Sequence, residues 1–255
     1  MQLGLNGIRV LVGGSSRGIG AATAEVMVQE GAQVVMVARE SDELRARARE
    51  FGAVPVAVDL SSPSGPEQAV EASLTALGGL DVVVVNSGGP PPGTFEELDD
   101  AAWYSAVEMT LMSSVRLVRC ALPHIRLAAH PAILFILSSS VREAIAGLDT
   151  SNTLRPALAG LVKSLATQVT PVRVNGIAPG RIATDRVAAL DARRAELRQV
   201  SEASVRQEAY ARIPLGRYGE PRELGTVATF LCSPAASYVN GAIVPVDGGM
   251  VHCLP

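Results

Sequence analysis

This chain has few cysteines, little excess of charge of either sign and no long apolar runs. Its three cysteines, Cys120, Cys232 and Cys253, are odd in number and far apart along 255 residues. Such a set indicates reduced thiols, because a disulfide framework or a metal site needs paired or clustered cysteines. We therefore expect neither a disulfide scaffold nor a bound metal.

The absence of a charge excess and of long apolar runs excludes further functions. The net charge is -3 and no dense Lys/Arg stripe is present, so we expect no nucleic-acid partner. No apolar run approaches the roughly 20 residues of a membrane span, so we expect no membrane contact. Residues 1–7 lack the basic and apolar regions of a secretory signal. A cytoplasmic location is the default expectation.

The chain contains a regular alternation of apolar runs and helical patterns. Hydrophobic residues make up 48% of the sequence, enough for a sizeable core. Most runs are continuous Val, Ile and Leu, as in strands covered on both faces. Strands are predicted at 9–12, 33–37, 54–58, 82–85, 133–137, 173–177 and 243–246. Helices are predicted near 18–30, 40–51, 66–77, 99–129, 152–168 and 221–231. Strict alternation predicts an α/β fold with a doubly wound parallel sheet, helices on both faces, and one domain over residues 1–255.

One charged, helix-forming region at about 185–212 interrupts the alternation. It suits a helical substrate lid over the ends of the strands, where ligands bind in such sheets. A solvated surface helix pair is the alternative, and both interpretations can hold for different faces.

A glycine-rich turn lies between the first strand and the first helix. It reads Gly14-x-x-x-Gly18-x-Gly20. Glycine lets the backbone turn sharply and approach a ligand, and the following helix N-terminus attracts phosphate. The turn therefore predicts a bound dinucleotide. Because the spacing differs from G-x-G-x-x-G, a tight turn without a ligand is the alternative.

The end of the second strand indicates which dinucleotide is preferred. An acidic residue usually holds a free ribose 2′-hydroxyl at this point, but the chain has Ala38 followed by Arg39. Arg17, inside the glycine turn, is expected near the same ribose. Two guanidinium groups suit a 2′-phosphate, so NADP(H) is favoured over NAD(H). Two solvated surface arginines are the alternative.

Two further polar segments follow predicted strands. Asp59 and Leu60 come after the third strand, where they suit hydrogen bonding to and packing on an adenine edge. Asn86-Ser87-Gly88-Gly89 follows the fourth strand as a polar turn beside the expected cofactor, or as a plain turn.

Five ordered motifs together resemble the short-chain dehydrogenase/reductase family, in particular its 3-oxoacyl-carrier-protein-reductase-like branch. They are Gly14-x-x-x-Gly18-Ile19-Gly20, Asp59-Leu60, Asn86-Ser87-Gly88, Pro179-Gly180-x-Ile182-x-Thr184 and Val246-Asp247-Gly248-Gly249. The resemblance covers essentially the whole chain. It implies a seven-stranded Rossmann-type sheet, a nicotinamide dinucleotide and usually a tetramer.

The glycine turn, the strand ends and the resemblance together give a set of expected cofactor-binding residues. By resemblance, the segment 179–184 would border the nicotinamide, and Asn86 and Gly88 would line the cleft. The complete expected set is Gly14, Ser15, Ser16, Arg17, Gly18, Ile19, Gly20, Ala38, Arg39, Asp59, Leu60, Asn86, Ser87, Gly88, Pro179, Gly180, Ile182 and Thr184.

The catalytic motif departs from the family pattern. The family normally uses Asn, Ser and Tyr-x-x-x-Lys, in which Tyr donates the proton and Lys lowers its pKa. Aligned residue by residue, Ser151 stands at the Tyr position, Arg155 at the Lys position and Leu111 at the Asn position, while the Ser is kept as Ser138. The chain resembles a subgroup that shares the Asn-Ser-Gly-Gly turn and the Ser-Asn-x-x-Arg segment and lacks the Tyr and Lys.

These replacements change the expected chemistry. A serine hydroxyl is a far weaker acid than a phenol near pH 10, and an arginine stays protonated and cannot relay a proton. Arg155 can still hold a ribose hydroxyl or an anion. Arg142 and Glu143 after Ser138, and Tyr104, Tyr210 and Tyr218, are alternative sources of the proton, but a packing or solvated role is favoured for each of them. The three histidines stand in no motif.

Two classes of function follow from the sequence. The first is an NADP(H)-dependent oxidoreductase for a small-molecule or acyl-chain carbonyl substrate, in which Ser138, Ser151 and Arg155 form the catalytic set and the proton comes from water or Ser138. The second is a weakly active or inactive dinucleotide-binding sensor or partner subunit. Apolar faces predicted on the helices near 99–129 and 152–168 favour a homo-oligomer, a tetramer or a dimer.

Overall fold

Seven parallel strands form one sheet in the computed structural model, which describes residues 2–253. The strands are β1 (Arg9–Gly13), β2 (Gln33–Ala38), β3 (Val54–Ala57), β4 (Val82–Val85), β5 (Ala132–Ile136), β6 (Arg173–Pro179) and β7 (Ile243–Val246). Their order is β3-β2-β1-β4-β5-β6-β7, and every neighbouring pair is parallel. The predicted doubly wound sheet is confirmed, with strand ends that differ from the prediction by at most two residues.

The apolar runs form strands because both faces of the sheet are covered. In β1 and β4, Val12 and Val84 face a core layer on one side of the sheet, while Leu11 and Val83 face a layer on the other. All four side chains are fully buried. Branched apolar residues at successive positions therefore pack into the core layers on both faces, as expected for a parallel sheet between helices.

The helices lie on both sides of this sheet. They are α1 (Gly18–Gln29), α2 (Asp42–Phe51), α3 (Gly65–Leu77), α4 (Asp100–Ala106), α5 (Ser113–Ile125), α6 (Asp149–Gln168), α7 (Asp185–Arg198), α8 (Glu202–Ala211) and α9 (Pro221–Cys232). Helices α1 and α9 pack closely together: a Cβ on Gly225 would lie 2.8 Å from the carbonyl oxygen of Ala22. Helices α3, α5 and α6 contribute to the opposite layer.

The prediction of one helix over 99–129 was wrong in two respects: the helix is interrupted in its middle, and it ends before residue 129. A π-helical segment, Val107–Met112, separates α4 from α5, and α5 ends at Ile125. At the junction, the Ser113 backbone N–H donates to the carbonyl of Glu108, five residues earlier. The apolar spacing continues through this segment, so the pattern did not reveal the extra residue in the turn.

The sheet topology places a crevice between β1 and β4. The chain leaves β3 at one edge and returns to β4 beside β1, so connections diverge at the carboxyl ends of these two strands. Such a switch point is where ligands bind in open α/β sheets. Within residues 2–253, no helix is long and apolar enough to cross a membrane, and no cluster of three or more metal-ligating side chains occurs.

Candidate active site

A cleft of about 660 Å³ opens at the carboxyl ends of the strands. Its wall includes the ends of β5 and β6, the loop after β4 and one face of the α7–α8 pair. All three candidate catalytic residues line it: Ser138, Ser151 and Arg155. So do seven of the expected cofactor residues: Ile19, Asn86, Ser87, Pro179, Gly180, Ile182 and Thr184. The remaining expected residues lie outside this cleft, around the glycine turn and the ends of β2, β3 and β4.

The glycine turn needs glycine for conformational and steric reasons. Gly14 and Gly18 adopt positive φ angles of 55° and 59°, which side chains disfavour. A Cβ on Gly20 would collide with the carbonyl oxygen of Gly14. The three glycines therefore allow the turn to fold back on itself directly before α1.

Two polar side chains brace this turn from inside. The Asn86 side-chain amide donates to the carbonyls of Gly13 and Gly14, both at 3.1 Å. Ser15 is fully buried, and its hydroxyl donates to the Val12 carbonyl at 2.8 Å. Ser15 thus contacts the strand and not the cleft, whereas Ser16 remains partly exposed.

The N-terminus of α1 has the features of a phosphate site. Arg17 is its N-cap residue, but no side chain caps the helix and its first turn carries no acidic residue. The first N–H groups of the helix therefore remain available to an anion. Nearby, the Ser87 hydroxyl is buried and has no hydrogen-bond partner among the described residues. These features fit a bound dinucleotide.

The two arginines expected near the ribose both have neighbouring acids. Arg17 lies 4.0 Å from Asp185, and both side chains are exposed. Hydrogen bonds from Ser61 lower the pKa of Asp59, and the charge of Arg39 adds to this effect. Ala38 is buried at the end of β2. Arg17 and Arg39 are themselves exposed to solvent. Their contact with a 2′-phosphate stays a prediction.

Leu60 and Gly88 have surroundings that the sequence did not reveal. Leu60 is 9% exposed and belongs to the core layer that also contains Leu11. It also approaches the glycine turn, because a Cβ on Gly13 would lie 3.1 Å from its side chain. Gly88 is exposed in the loop after β4.

The segment after β6 forms the opposite wall. Gly180 packs so closely on Asp247 that a Cβ would lie 2.6 Å from the Asp247 side chain. Ile182 is buried, and the Thr184 hydroxyl accepts a hydrogen bond from the Val187 N–H to cap α7. Thr184 thus begins the α7–α8 pair at the cleft.

The three serines near the cleft belong to one hydrogen-bonded group. Ser138 follows β5 and caps a short 3₁₀ turn (Ser139–Val141) by accepting from the Ser140 N–H at 3.1 Å. The Ser140 hydroxyl lies 3.4 Å from the hydroxyl of Ser151 on α6. Ser140, which the sequence did not single out, therefore joins the two candidate catalytic serines.

Asn152 supports the same region from the next position on α6. Its side-chain amide donates to the Ile145 carbonyl and accepts from the Ile145 N–H, both at 2.9 Å. This pair of bonds fixes the loop that follows the 3₁₀ turn. The Asn of the Ser-Asn-x-x-Arg segment is therefore a loop anchor.

Arg155 is a buried cation at the base of the cleft. It lies four residues after Ser151 on the same face of α6 and is only 7% exposed. Its guanidinium donates to the carbonyl of Ile136 at 2.7 Å. Burial, and after it the charge of Arg186, lower the pKa of Arg155 to about 10. The side chain thus stays protonated at neutral pH.

The π-helical segment contains Leu111, which stands at the family's Asn position, and the buried polar residue Thr110 beside it. Leu111 is partly buried and packs against the core layer that contains Phe135. Its neighbour Thr110 is fully buried, and its hydroxyl has no partner among residues 2–253. Thr110 is thus the polar side chain that this segment encloses.

Tyrosine, histidine and lysine are absent from the cleft wall as far as the described residues form it. Within the described chain, none of the four tyrosines, none of the three histidines and not the single lysine lines the cleft. Tyr218 is buried beside Asp191, and burial together with that carboxylate raises its pKa to about 12. Lys163 is exposed on α6 outside the cleft. Of the two glutamates that line the wall among the described residues, Glu208 pairs with Arg198, and Glu143 forms no ion pair.

Two arginines of α7 contact the loop after β4. Arg186 donates to the carbonyls of Gly89 and Pro90 at 3.1 and 3.0 Å. Arg193 donates to the carbonyl of Pro92 at 3.2 Å. The run of prolines thus presents carbonyl oxygens to the α7–α8 pair, a role that could not be read from the sequence.

A buried cluster of hydrogen-bonded side chains holds the other side of α7 in place. Asp191, 1% exposed, accepts a hydrogen bond from the Tyr218 hydroxyl at 2.7 Å and forms an ion pair with Arg181. The Arg181 guanidinium also lies 5.5 Å from the centre of the Tyr218 ring. The middle of α7 is therefore held to the segment after β6.

Comparison with known proteins identifies the family. Residues 14–251 match a family model described as Enoyl-(Acyl carrier protein) reductase. The chain is 34% identical to cis-4-hydroxycyclohexanecarboxylate dehydrogenase of Sinomonas cyclohexanicum over 94% of both chains. It is 31% identical to the 3-oxoacyl-[acyl-carrier-protein] reductase of Aquifex aeolicus over 98% of this chain and 100% of the relative. The chain belongs to the short-chain dehydrogenase/reductase family and is an oxidoreductase of that class.

A solved structure agrees with this assignment. L-sorbose reductase from Gluconobacter frateurii, complexed with NADPH and L-sorbose, superposes with a TM-score of 0.92 at 33% identity, over 100% of both chains. The comparison supports the Rossmann-type fold and a nicotinamide dinucleotide as the cofactor.

Proposed function

We propose that the protein is an NADP(H)-dependent oxidoreductase that interconverts a carbonyl group and an alcohol without the family's Tyr–Lys pair. Ser138, Ser151 and Arg155 at one cleft beside residues 179–184 carry this proposal. It also assigns the chain to the subgroup with the Ser-Asn-x-x-Arg segment and a 3-oxoacyl-carrier-protein-reductase-like substrate range. The bound nicotinamide would supply or accept the hydride.

The chain's own residues would bind this cofactor at three places. The glycine turn and the uncapped N-terminus of α1 would hold the pyrophosphate. Arg17 and Arg39 would hold the 2′-phosphate that distinguishes NADP(H) from NAD(H). Asn86, Ser87 and the segment 179–184 would enclose the nicotinamide end.

The serines and Arg155 would act on the reacting oxygen without a phenol. The hydroxyls of Ser138 and Ser151 would donate hydrogen bonds to the substrate oxygen as negative charge develops on it. Arg155 would clamp the nicotinamide ribose and stabilise this charge, because it holds its proton throughout. The proton that accompanies each hydride would come from water or through Ser138.

The α7–α8 pair would serve as the substrate lid of this single domain. One face of the pair lines the cleft, and Arg186 reaches across to the loop after β4. Such an element excludes water from a reacting site when it is closed. Its two contact sets, at Pro90 and at Asp191, would position it.

Assembly into a tetramer or a dimer is also proposed. Most of the apolar residues on α5 and α6 are used in the core, but Val115, Leu122, Leu161 and Leu165 keep partial exposure. Covering such residues favours association. A monomer mass in light scattering at micromolar concentration would overturn this.

One experiment separates this function from the alternative, a dinucleotide-binding sensor or partner subunit with little turnover. The alternative is favoured by the missing Tyr, His and Lys at the cleft wall. An NADPH titration followed by a turnover screen over short-chain and acyl-chain ketones decides between them. Binding with turnover supports the oxidoreductase, and binding without turnover supports the sensor.

A further inference from the structure

Arg155 is a cation that the protein leaves without a counter-ion. Among the described residues, no carboxylate lies within ion-pair distance of it, and its one hydrogen bond goes to the Ile136 carbonyl. A guanidinium has five N–H donors, so most of its hydrogen-bonding capacity is unused. Burial of an unpaired charge is costly, which makes an arriving anion strongly favourable at this point.

A second arginine shares the cleft with it. The Arg186 guanidinium lies directly on Gly89, so closely that any side chain at that position would collide with it. Two of its N–H groups bond to backbone carbonyls, and no carboxylate pairs with it in residues 2–253. Partial burial lowers the pKa of Arg186, and its charge in turn lowers that of Arg155. Two cations therefore face one space and repel each other.

Positive charge exceeds negative charge in this cleft. Six arginines and two glutamates line it: Arg155, Arg181, Arg186, Arg194, Arg198, Arg212, Glu143 and Glu208. Two of these arginines are neutralised, since Arg198 pairs with Glu208 and Arg181 pairs with Asp191. Four arginines then remain against Glu143, although the whole chain has a net charge of -3. Such a surface attracts anions to the cleft.

We propose that the substrate is a carbonyl compound that carries a carboxylate, and that Arg186 binds this carboxylate in the positive field to which Arg155 contributes. This inference rests on the proposed function, because it names the substrate class of the same site. Arg155, which the proposed function assigns to the nicotinamide ribose, adds its buried charge to the attraction, and Arg186 has two of its N–H groups on backbone carbonyls and keeps its other donors for the carboxylate. Apolar side chains of the same wall, including Ile145, Leu148 and Leu190, suit the hydrocarbon part of such a substrate.

The test compares an anion with its uncharged isostere. Benzoate and benzamide have nearly the same shape, and each is titrated calorimetrically into the protein with and without saturating NADPH. We expect benzoate to bind about 10- to 100-fold more tightly than benzamide, the range for charge-assisted hydrogen bonds. Added salt should weaken benzoate binding and leave benzamide binding unchanged.

Two variants on α7 test the role of Arg186. In R186Q the preference for benzoate should fall at least about fivefold. R193Q is the matched control, because Arg193 also donates to a proline carbonyl of the same loop but does not line the cleft. R193Q should keep the full preference. Thermal melts of both variants check that the fold is retained.

The outcomes separate this inference from the proposed function. A protein that binds NADPH but shows no preference for benzoate, or binds neither compound, overturns the carboxylate assignment alone. An unchanged preference in R186Q also overturns it. A protein that fails to bind NADPH contradicts the proposed function, while the titrations without cofactor still decide whether the cleft selects a carboxylate.

Discussion

Arg155 on α6 and Ile136 at the end of β5 are joined by a buried 2.7 Å hydrogen bond from the guanidinium to the backbone carbonyl. The bond fixes the helix that carries Ser151 to the strand that leads to Ser138. A lysine would present a flexible ammonium in place of a planar fork at this point. Arg155 therefore combines a structural contact with free donors that face the cleft.

Replacing Arg155 tests both roles. R155A should weaken NADPH binding about tenfold, and it should lower the free energy of unfolding by about 1–3 kcal/mol because the Ile136 carbonyl loses its partner. Fluorescence titration and denaturant unfolding measure the two effects. R173A is the control, since Arg173 donates to the carbonyls of Leu231 and Ser233. R173A should lower the free energy of unfolding and leave the NADPH affinity unchanged. An R155A variant that binds NADPH as tightly as the unmutated protein would contradict the cofactor role of Arg155.

Restoring the family's catalytic pair is the most direct test of the altered chemistry. The double variant S151Y/R155K should raise ketone reduction, since general acid catalysis is typically worth about 10²–10⁴-fold. The single variants serve as controls and should gain less than the pair. Turnover is followed by NADPH oxidation with the ketones of the screen. A double variant that folds but gains nothing would mean that the pocket no longer suits this chemistry.

Leu111 bears on the same experiment. Because it packs against the core layer, adding L111N to the double variant should lower stability and bring no further activity. Increased turnover with L111N would show that this position does reach the site.

The preference for NADP(H) should depend on Arg39. R39D should reverse or erase it, because charge-assisted phosphate contacts are worth about 1.5–3 kcal/mol each in favourable cases. Parallel titrations with NADPH and NADH measure the ratio of affinities. R47D on α2 is a suitable control, since Arg47 pairs with Glu50 on the helix surface. Equal affinities in the unmutated protein would show that Arg17 and Arg39 are solvated surface groups.

Acid stability should depend on the ion pair between Arg9 and Asp81. Burial alone would raise the pKa of Asp81, but the hydrogen bonds and charge of Arg9 outweigh it and leave the pKa below 3.8. The carboxylate therefore stabilises the fold above that pH, and this contribution is lost as the pH falls through the lowered value. D81N should cost about 1.5–3 kcal/mol at pH 7, and its difference from the unmutated protein should shrink below pH 4. A constant difference from pH 7 to pH 3 would contradict this.

The sheet and the glycine turn could be predicted because their signals are local. Continuous apolar runs give strands such as β4, and Gly14 and Gly18 stand where positive φ angles are required. The position of Ser151 and Arg155 on one helix face also follows from helical spacing, since the two residues are one turn apart. Local sequence thus predicted the elements and the faces that they present.

Contacts between distant segments could not be predicted in this way. Arg186 lies 97 positions after Gly89, and nothing near either residue indicates that they touch. The buried position of Ser15 involves the neighbouring strand, and the π-helical segment packs against α6. Each of these features is decided by tertiary structure, which a single sequence expresses only weakly.

Lys163 is the chain's only lysine, and it lies exposed on the helix that carries Ser151 and Arg155. An amine-directed label therefore has one side-chain target in the whole protein, and that target stands outside the cleft. A fluorophore attached there would leave the cleft unblocked, and it needs no engineered cysteine. The near-absence of lysine thus leaves the unmodified protein with one side-chain amine for labelling, to be distinguished from the α-amine by its higher pKa.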